Sequence, residues 1–499
     1  MILNRNNVPL QEQRLFLGPE LGLQRYDDFK YPVFFELFTK QRQFFWSPEE
    51  IDVQKDRVDY ESLAPHEKHI FTSNLLFQTL MDSVVGRGVN TFSKYISSPE
   101  LEACFNAWQF FETIHSFSYT YIIKNLYPNP SALLDQALLI PAIADRIDSV
   151  CNSYEELDKA SGEDVKKKIY LALISVNILE AVRFYVSFVC AFAFAENKKM
   201  IGNADIIRLI KRDESCFDEL TEVLTQDGWK QIQHLLDSDK IAQYNQDGSV
   251  DFVIPYAIIN KEYVGELYHL TNPENTVDMM LTPDHRFIYW NSNKEVKEKQ
   301  IKDVKFTEDM QVIGVDSFFS SIPISTNSII INQIPHNGRV YCVSVPSGMI
   351  LIRRNNCIAV SGNCHLSITQ NLINILRTKE EEGFFDTIKE CEEEAIKMFA
   401  EAANEEKAWA NYLFKDGSIL GLNAELLGKY IEWLVDSRMS TIGLPKIFNT
   451  KNNGLGTWVT AWMESEKVQV APQESGITNY RISAGNNDVQ TMIFESEEL

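Results

Sequence analysis

Two short stretches, LIKRDES (209–215) and CHLSITQNLI (364–373), stand 148 residues apart and read as one helix when the residues between them are set aside. Joining Ser215 to Cys364 keeps apolar side chains at three- and four-residue spacing across the junction. It also puts Glu214 and His365 at positions i and i+3, on one face of a single turn. A random excision would seldom restore both the helical phase and an acid–imidazole pair. The junction therefore divides the chain into a helical host, 1–215 and 364–499, and an inserted module, 216–363.

The texture on either side agrees with that division. PHEKHIFTSNLLFQTLMDSVVGR (65–87) and LEACFNAWQFFETIHSFSYTYIIKNL (101–126) carry the helical period, which returns in FFDTIKECEEEAIKMFAEAANEEKAWANYLF (384–414). The stretch 166–199 is apolar on all sides, so it predicts a helix buried nearly all round. Inside the module the apolar runs are short, β-branched and broken by turn residues, as in DFVIPYAII (251–259), RFIYW (286–290) and MILIRR (349–354). An all-β module inside an all-α helical bundle is the expected architecture. The tail from about 471 has no sustained period and predicts disorder.

Glu112 and His115 form an E-x-x-H pair on an apolar helix, and a buried carboxylate needs a partner or a metal. Glu180 shares the 27-residue stretch 169–195 with one other charge, Arg183, so it is either half of a buried ion pair or a metal ligand. Asp82, alone, reads as a surface acid. Di-metal carboxylate bundles use a carboxylate from each of two helices and an E-x-x-H from each of two others. Glu214 with His365 supplies the second such pair once the module is gone. His66 and His69 carry no matching acids and read as exposed imidazoles at a helix start. Tyr119 lies one turn beyond His115 on the same face; beside a di-metal site such a tyrosine becomes a redox candidate.

Lys and Arg number 47 against 70 Asp and Glu, a net charge of −23, which disfavours duplex DNA and anionic membranes as partners. The longest uncharged apolar run, 184–195, has twelve residues, short of the ~20 that cross a bilayer, and no signal peptide is expected at the start. Eight cysteines without a CxxC pair suit a reduced, cytoplasmic setting.

The module begins with Cys216, ends with Asn363 and is followed by Cys364, the residue types that protein splicing requires. The Cys216 thiol can take the Ser215 acyl group, Cys364 can take it over, and Asn363 can cyclise to cut the chain. CFDELTEVLTQDGWKQI (216–232), LTPDHRF (281–287), GRVYCVSVP (338–346) and CIAVSGNC (357–364) resemble the blocks of the intein (Hint) family. The resemblance implies that Thr282 and His285 polarise the scissile bond. Two departures stand out: Gly362 occupies the place of the usual histidine before the terminal Asn, and Cys342 that of the usual acid after VY. With 148 residues and no endonuclease motif, the module resembles a mini-intein. A hedgehog-like or plain β-domain is the other reading.

The remaining 351 residues resemble the small, radical-generating subunit of class I ribonucleotide reductase, from LGLQRYDDFKYPVFFELFTKQRQFFWSPEEIDV (21–53) to VQVAPQESGITNY (468–480). LMDS (80–83), ETIHSFSYTYI (112–122), NILEAVRFYVSF (177–188) and RDES–CHL across the junction carry it. The resemblance implies two iron ions, with manganese suited to the same donors, on Asp82, Glu112, His115, Glu180, Glu214 and His365. It implies that Tyr119 is oxidised to a stable radical shielded by Phe184 and Phe188. Trp46 and Asp213 would serve the electron path, Asp213 by hydrogen-bonding His115. Tyr480 would relay to the large subunit, on which the acidic end MIFESEEL (492–499) docks. A homodimer from a bacterium or a bacteriophage is implied as well. A ferritin-like oxidase would lack a tyrosine near the site, and a non-enzymatic scaffold would hold almost no metal.

Overall fold

A computed structural model describes residues 4–5, 8–43, 45–211, 217–236, 239–245, 247–255, 257–283, 285–316, 320–345, 347–362, 368–450, 453–455 and 458–459. Helices occupy both flanks. Pro65–Gly88 and Pro99–Leu126 each open on a proline, which loses nothing by lacking an N–H in the first turn. Ser98 caps the second by accepting from the Leu101 N–H. The apolar stretch forms Val165–Ile178, a π-helical turn Leu179–Arg183, and Phe184–Glu196. As one helix it is long enough to span a membrane, yet 89% of its most apolar window is buried inside the protein. It is the central core helix.

One hydrophobic cluster runs from Leu15 to Leu209 and resumes from Leu372 to Val459, with no member from the β-rich region. Buried charges tie the two flanks together. Arg146 donates to Glu406 through Nε and Nη2, and Arg183 pairs with Glu405 at 2.6 Å and Glu406 at 3.2 Å. Glu382 accepts from the Leu15 N–H and the Tyr31 hydroxyl. The two helical segments thus form one body although 156 positions separate Lys211 from Ile368.

Between them, strands from Glu222–Thr225 to Cys357–Gly362 form a ten-stranded sheet and a three-stranded sheet, with two hydrophobic clusters of their own. Every strand pairing among the described residues is antiparallel, the longest joining Ala257–Thr271 to Ile330–Ser344. The β-rich region thus buries its apolar faces between its own strands, while the helices bury theirs against one another.

Candidate functional sites

Three long helices place the acids. Asn74 and Ser187 exchange hydrogen bonds of 3.0 and 2.8 Å, pinning Pro65–Gly88 against Phe184–Glu196. Asp82 lies eight residues beyond Asn74 and Glu180 seven residues before Ser187. At 1.5 Å rise per residue, an antiparallel crossing brings the two level. On the other side, the Gln109 amide donates to the Gly86 carbonyl, and a Cβ at Gly86 would sit 3.5 Å from that of Glu112. One ligand atom each from Asp82, Glu112 and His115 then lies within 4.8 Å of the others.

The electrostatics are those of a cation site. Burial, then the charges of Glu112 and Glu180, hold the Asp82 carboxyl well above the usual range. Burial and Glu112 do the same to Glu180. Carboxylates packed this way repel one another and favour a positive ion between them. Asp82 Oδ2 and the Tyr119 hydroxyl are buried without a hydrogen-bond partner among the described residues. These unused oxygens fit a metal with its associated ligands better than they fit a satisfied core.

Tyr119 is fully buried, and burial followed by Asp82 and Glu112 keeps its phenol protonated far beyond the ordinary range. Phe184 and Phe188 are buried and stack 5.9 Å apart on the helix of Glu180. Trp46 is buried in the host core. Asp213, Glu214, Cys216, Asn363, Cys364, His365 and Tyr480 lie outside the described residues. The described helices stop at Lys211 and begin again at Ile368, three residues from Glu214 and from His365 in sequence. Asn177 donates to Thr369 at 3.1 Å, so the second of these helices packs on the one that leads to Glu180.

Several expectations need correction. Asp82 is 3% exposed, because its helix is covered on both sides, and is no surface acid. Arg183 is spent on Glu405 and Glu406, so Glu180 is not its ion-pair partner. His66 and His69 do sit in a first turn, but both are half-buried; His69 Nε2 lies 3.0 Å from the Tyr412 carbonyl. Two features escaped the sequence reading. Trp108 donates its indole N–H to Glu112 at 2.9 Å, which its place four residues earlier could have suggested. The π turn around Glu180 has no sequence signal, although such turns gather at functional sites.

In the β-rich region, His285 is fully buried, with Nε2 3.0 Å from Ser361 Oγ and its ring 4.2 Å from that of Phe217. Its backbone N–H donates to the Thr282 carbonyl at 2.9 Å, and Thr282 is buried beside it. Phe217 follows Cys216 directly, and Ser361 stands two residues before Asn363. Phe217 and Ser361, 144 positions apart in sequence, therefore meet at one imidazole. Cys342 is buried, its thiol directed to the Val343 carbonyl.

The family model for "Ribonucleotide reductase, small chain" matches residues 24–294 and 350–453, and the gap between them falls inside the β-rich region. A ribonucleoside-diphosphate reductase subunit beta from Buchnera aphidicola (subsp. Baizongia pistaciae) is 32% identical over 99% of this chain and 98% of its own. The corresponding subunit from Escherichia coli O157:H7 is 31% identical over 96% and 94%. Among solved structures, a ribonucleotide reductase R2 subunit from Clostridium botulinum covers 93% of this chain and 98% of its own, with a TM-score of 0.57 at 18% identity. A class 3 split intein covers 30% of this chain at a TM-score of 0.28, a likeness too slight to identify the insert. With helices, carboxylates and sequence pointing the same way, the chain belongs to the ribonucleotide reductase small chain family.

Proposed function

We propose that residues 1–215 and 364–499 form the radical-generating small subunit of a class I ribonucleotide reductase, and that residues 216–363 are a mini-intein that removes itself. The first part is supported above all by the cluster of buried Asp82 and Glu112 with half-buried His115, near a Tyr119 hydroxyl that has no partner among the described residues. Asp82, Glu112, His115, Glu180, Glu214 and His365 would hold two iron ions, with manganese the alternative for these donors. When bound, the metal pair supplies oxidising power drawn from dioxygen. Tyr119 yields one electron and its phenolic proton, and the free oxygen of Asp82 is suited to accept that proton. Phe184 and Phe188 exclude water and reductants from the pocket. Trp46 and Tyr480 carry the oxidising equivalent, with Asp213 hydrogen-bonding His115 on that path, to a cysteine of the large subunit, which reduces ribonucleotides to deoxyribonucleotides. The tail docks on that partner, two small subunits pair, and the work takes place in the cytoplasm.

For the insert, the Cys216 thiol attacks the Ser215 carbonyl carbon, freeing the Cys216 amine as a thioester forms. Thr282 and His285 polarise that bond. The Cys364 thiol takes the acyl group, Asn363 cyclises and releases the insert, and a sulfur-to-nitrogen shift leaves a peptide bond. The support is the convergence of Phe217 and Ser361 on His285.

Expression of the full chain, followed by mass spectrometry and electron paramagnetic resonance after iron loading in air, tests both parts. A ligated 351-residue product with a tyrosyl signal that vanishes in Tyr119→Phe is expected. A signal undiminished in Tyr119→Phe would sink the radical assignment. Cys216→Ala with Asn363→Ala should trap the 57.3 kDa chain; a wild-type chain that stays at that size would sink splicing.

A further inference from the structure

Gly362 closes the strand Cys357–Gly362 and pairs with Met349. A Cβ added there would meet Arg286 Cβ at 2.5 Å and the Arg286 carbonyl oxygen at 2.8 Å. Backbone cannot yield at that range while both strands keep their register. The place that a side chain at 362 would fill is thus already taken by Arg286, which accounts for the absence of the usual histidine.

Arg286 is fixed from three directions. Its Nε donates to Glu298 Oε2 at 2.9 Å and its Nη1 to the Gly348 carbonyl at 2.9 Å. Its Nη2 lies 3.9 Å from Oε2 of Glu36, and the arginine side chain is 9% exposed. Glu36 belongs to the host helix Pro32–Gln43. Gly348, at φ +72°, marks where the two groups meet: a Cβ there would lie 3.2 Å from Arg286 Nη1 and 3.3 Å from Glu36 Oε2. Any side chain at 348 would wedge the pair apart.

We propose that Arg286 is the positioning residue for release of the insert at Asn363, and that Glu36 of the host holds it there, so that excision depends on the folded host helix. The proposal rests on the splicing reading. In the step concerned, the Asn363 side-chain nitrogen attacks its own main-chain carbonyl carbon. The bond to the residue 364 nitrogen breaks, the proton lost by the amide ends on the departing amine, and a succinimide closes. Such an attack needs its two atoms held close to reacting geometry. Gly362 directly precedes Asn363 in sequence, so a constraint on Gly362 acts on the neighbour of the reacting residue. Because Arg286 follows His285, the same short segment touches Phe217, Ser361 and Gly362.

The test uses the full chain carrying Cys364→Ala, which blocks ligation and leaves two separable cleavages on a gel: thiol-induced cleavage before Cys216, and release after Asn363. Arg286→Lys and Gly362→Ala should each slow release by about tenfold or more while thiol cleavage keeps its rate. Glu36→Gln should slow release several-fold, on the order of a lost charge-assisted contact, with Glu36→Asp recovering part of the rate. Release at the parent rate in Glu36→Gln overturns the host clamp. Release at the parent rate in Arg286→Lys or Gly362→Ala, or loss of both cleavages together in these variants, overturns positioning. A parent chain showing neither cleavage overturns the splicing reading itself, a result distinct from all of these.

Discussion

Asp82 shows how a residue can be optimised for something other than stability. Its buried carboxyl feels the charges of Glu112 and Glu180 and leaves one oxygen without a partner among the described residues. Replacing it by asparagine removes the repulsion and adds a donor, so the metal-free chain should gain about 1 kcal/mol while iron stoichiometry falls. Urea unfolding without metal and iron titration check the two halves; a destabilised Asp82→Asn chain would contradict this account. Asp56 makes a simpler case. It accepts from the Gly202 and Asn203 N–H groups, yet burial pushes its carboxyl up to about 6 from 3.8. The folded state then holds its proton more tightly than the unfolded one. Its contribution is full below pH 3.8 and is lost as pH rises through about 6. The unfolding midpoint of Asp56→Asn should lack that fall between pH 4 and 7, and a parallel profile in the two chains would exclude it.

At the scale of an element, the π turn Leu179–Arg183 decides where Glu180 points. One extra residue in the turn shifts the side chains by roughly 100° relative to an unbroken α-helix. The carbonyl of Ala181, displaced from the regular ladder, accepts from Arg438 Nε at 3.3 Å. Deleting Ala181 should restore a regular helix and keep the bundle folded by circular dichroism, while metal binding is lost. Retained iron stoichiometry in that deletion would show that the turn is incidental. The same turn explains a limit of the sequence: i, i+3 spacing suggested that Glu180 and Arg183 share a face, a reading valid only for α geometry.

At the scale of the whole molecule, the two helical flanks are held together by Arg146, Arg183, Glu405 and Glu406. Arg146 also lies 3.5 Å from the Phe77 ring centroid and 4.6 Å from that of Trp409. Glu406 is fully buried, so Glu406→Gln leaves the Arg146 guanidinium without its carboxylate and Arg183 on Glu405 alone, and should cost about 3–5 kcal/mol in urea unfolding. A loss under 1 kcal/mol would show that the network is not what joins the halves. Splicing adds a second expectation at this scale. The trapped chain, with Glu214 and His365 on separate segments, should bind less iron than the ligated product at equal protein concentration.

What the sequence by itself determined was periodic or chemical. The switch from helical to alternating period, the E-x-x-H spacing at Glu112 and His115, and the Cys216, Asn363 and Cys364 types are all local, and local pattern reports which faces are apolar and which groups can react. Tertiary structure alone decided that Asp82 is buried and that Arg183 serves Glu406 rather than Glu180. It also decided that Arg286 fills the space beside Gly362. Each of these depends on which distant surface covers a side chain, and burial, which sets the cost of a charge and the room for a Cβ, is a property of packing that no spacing along the chain encodes.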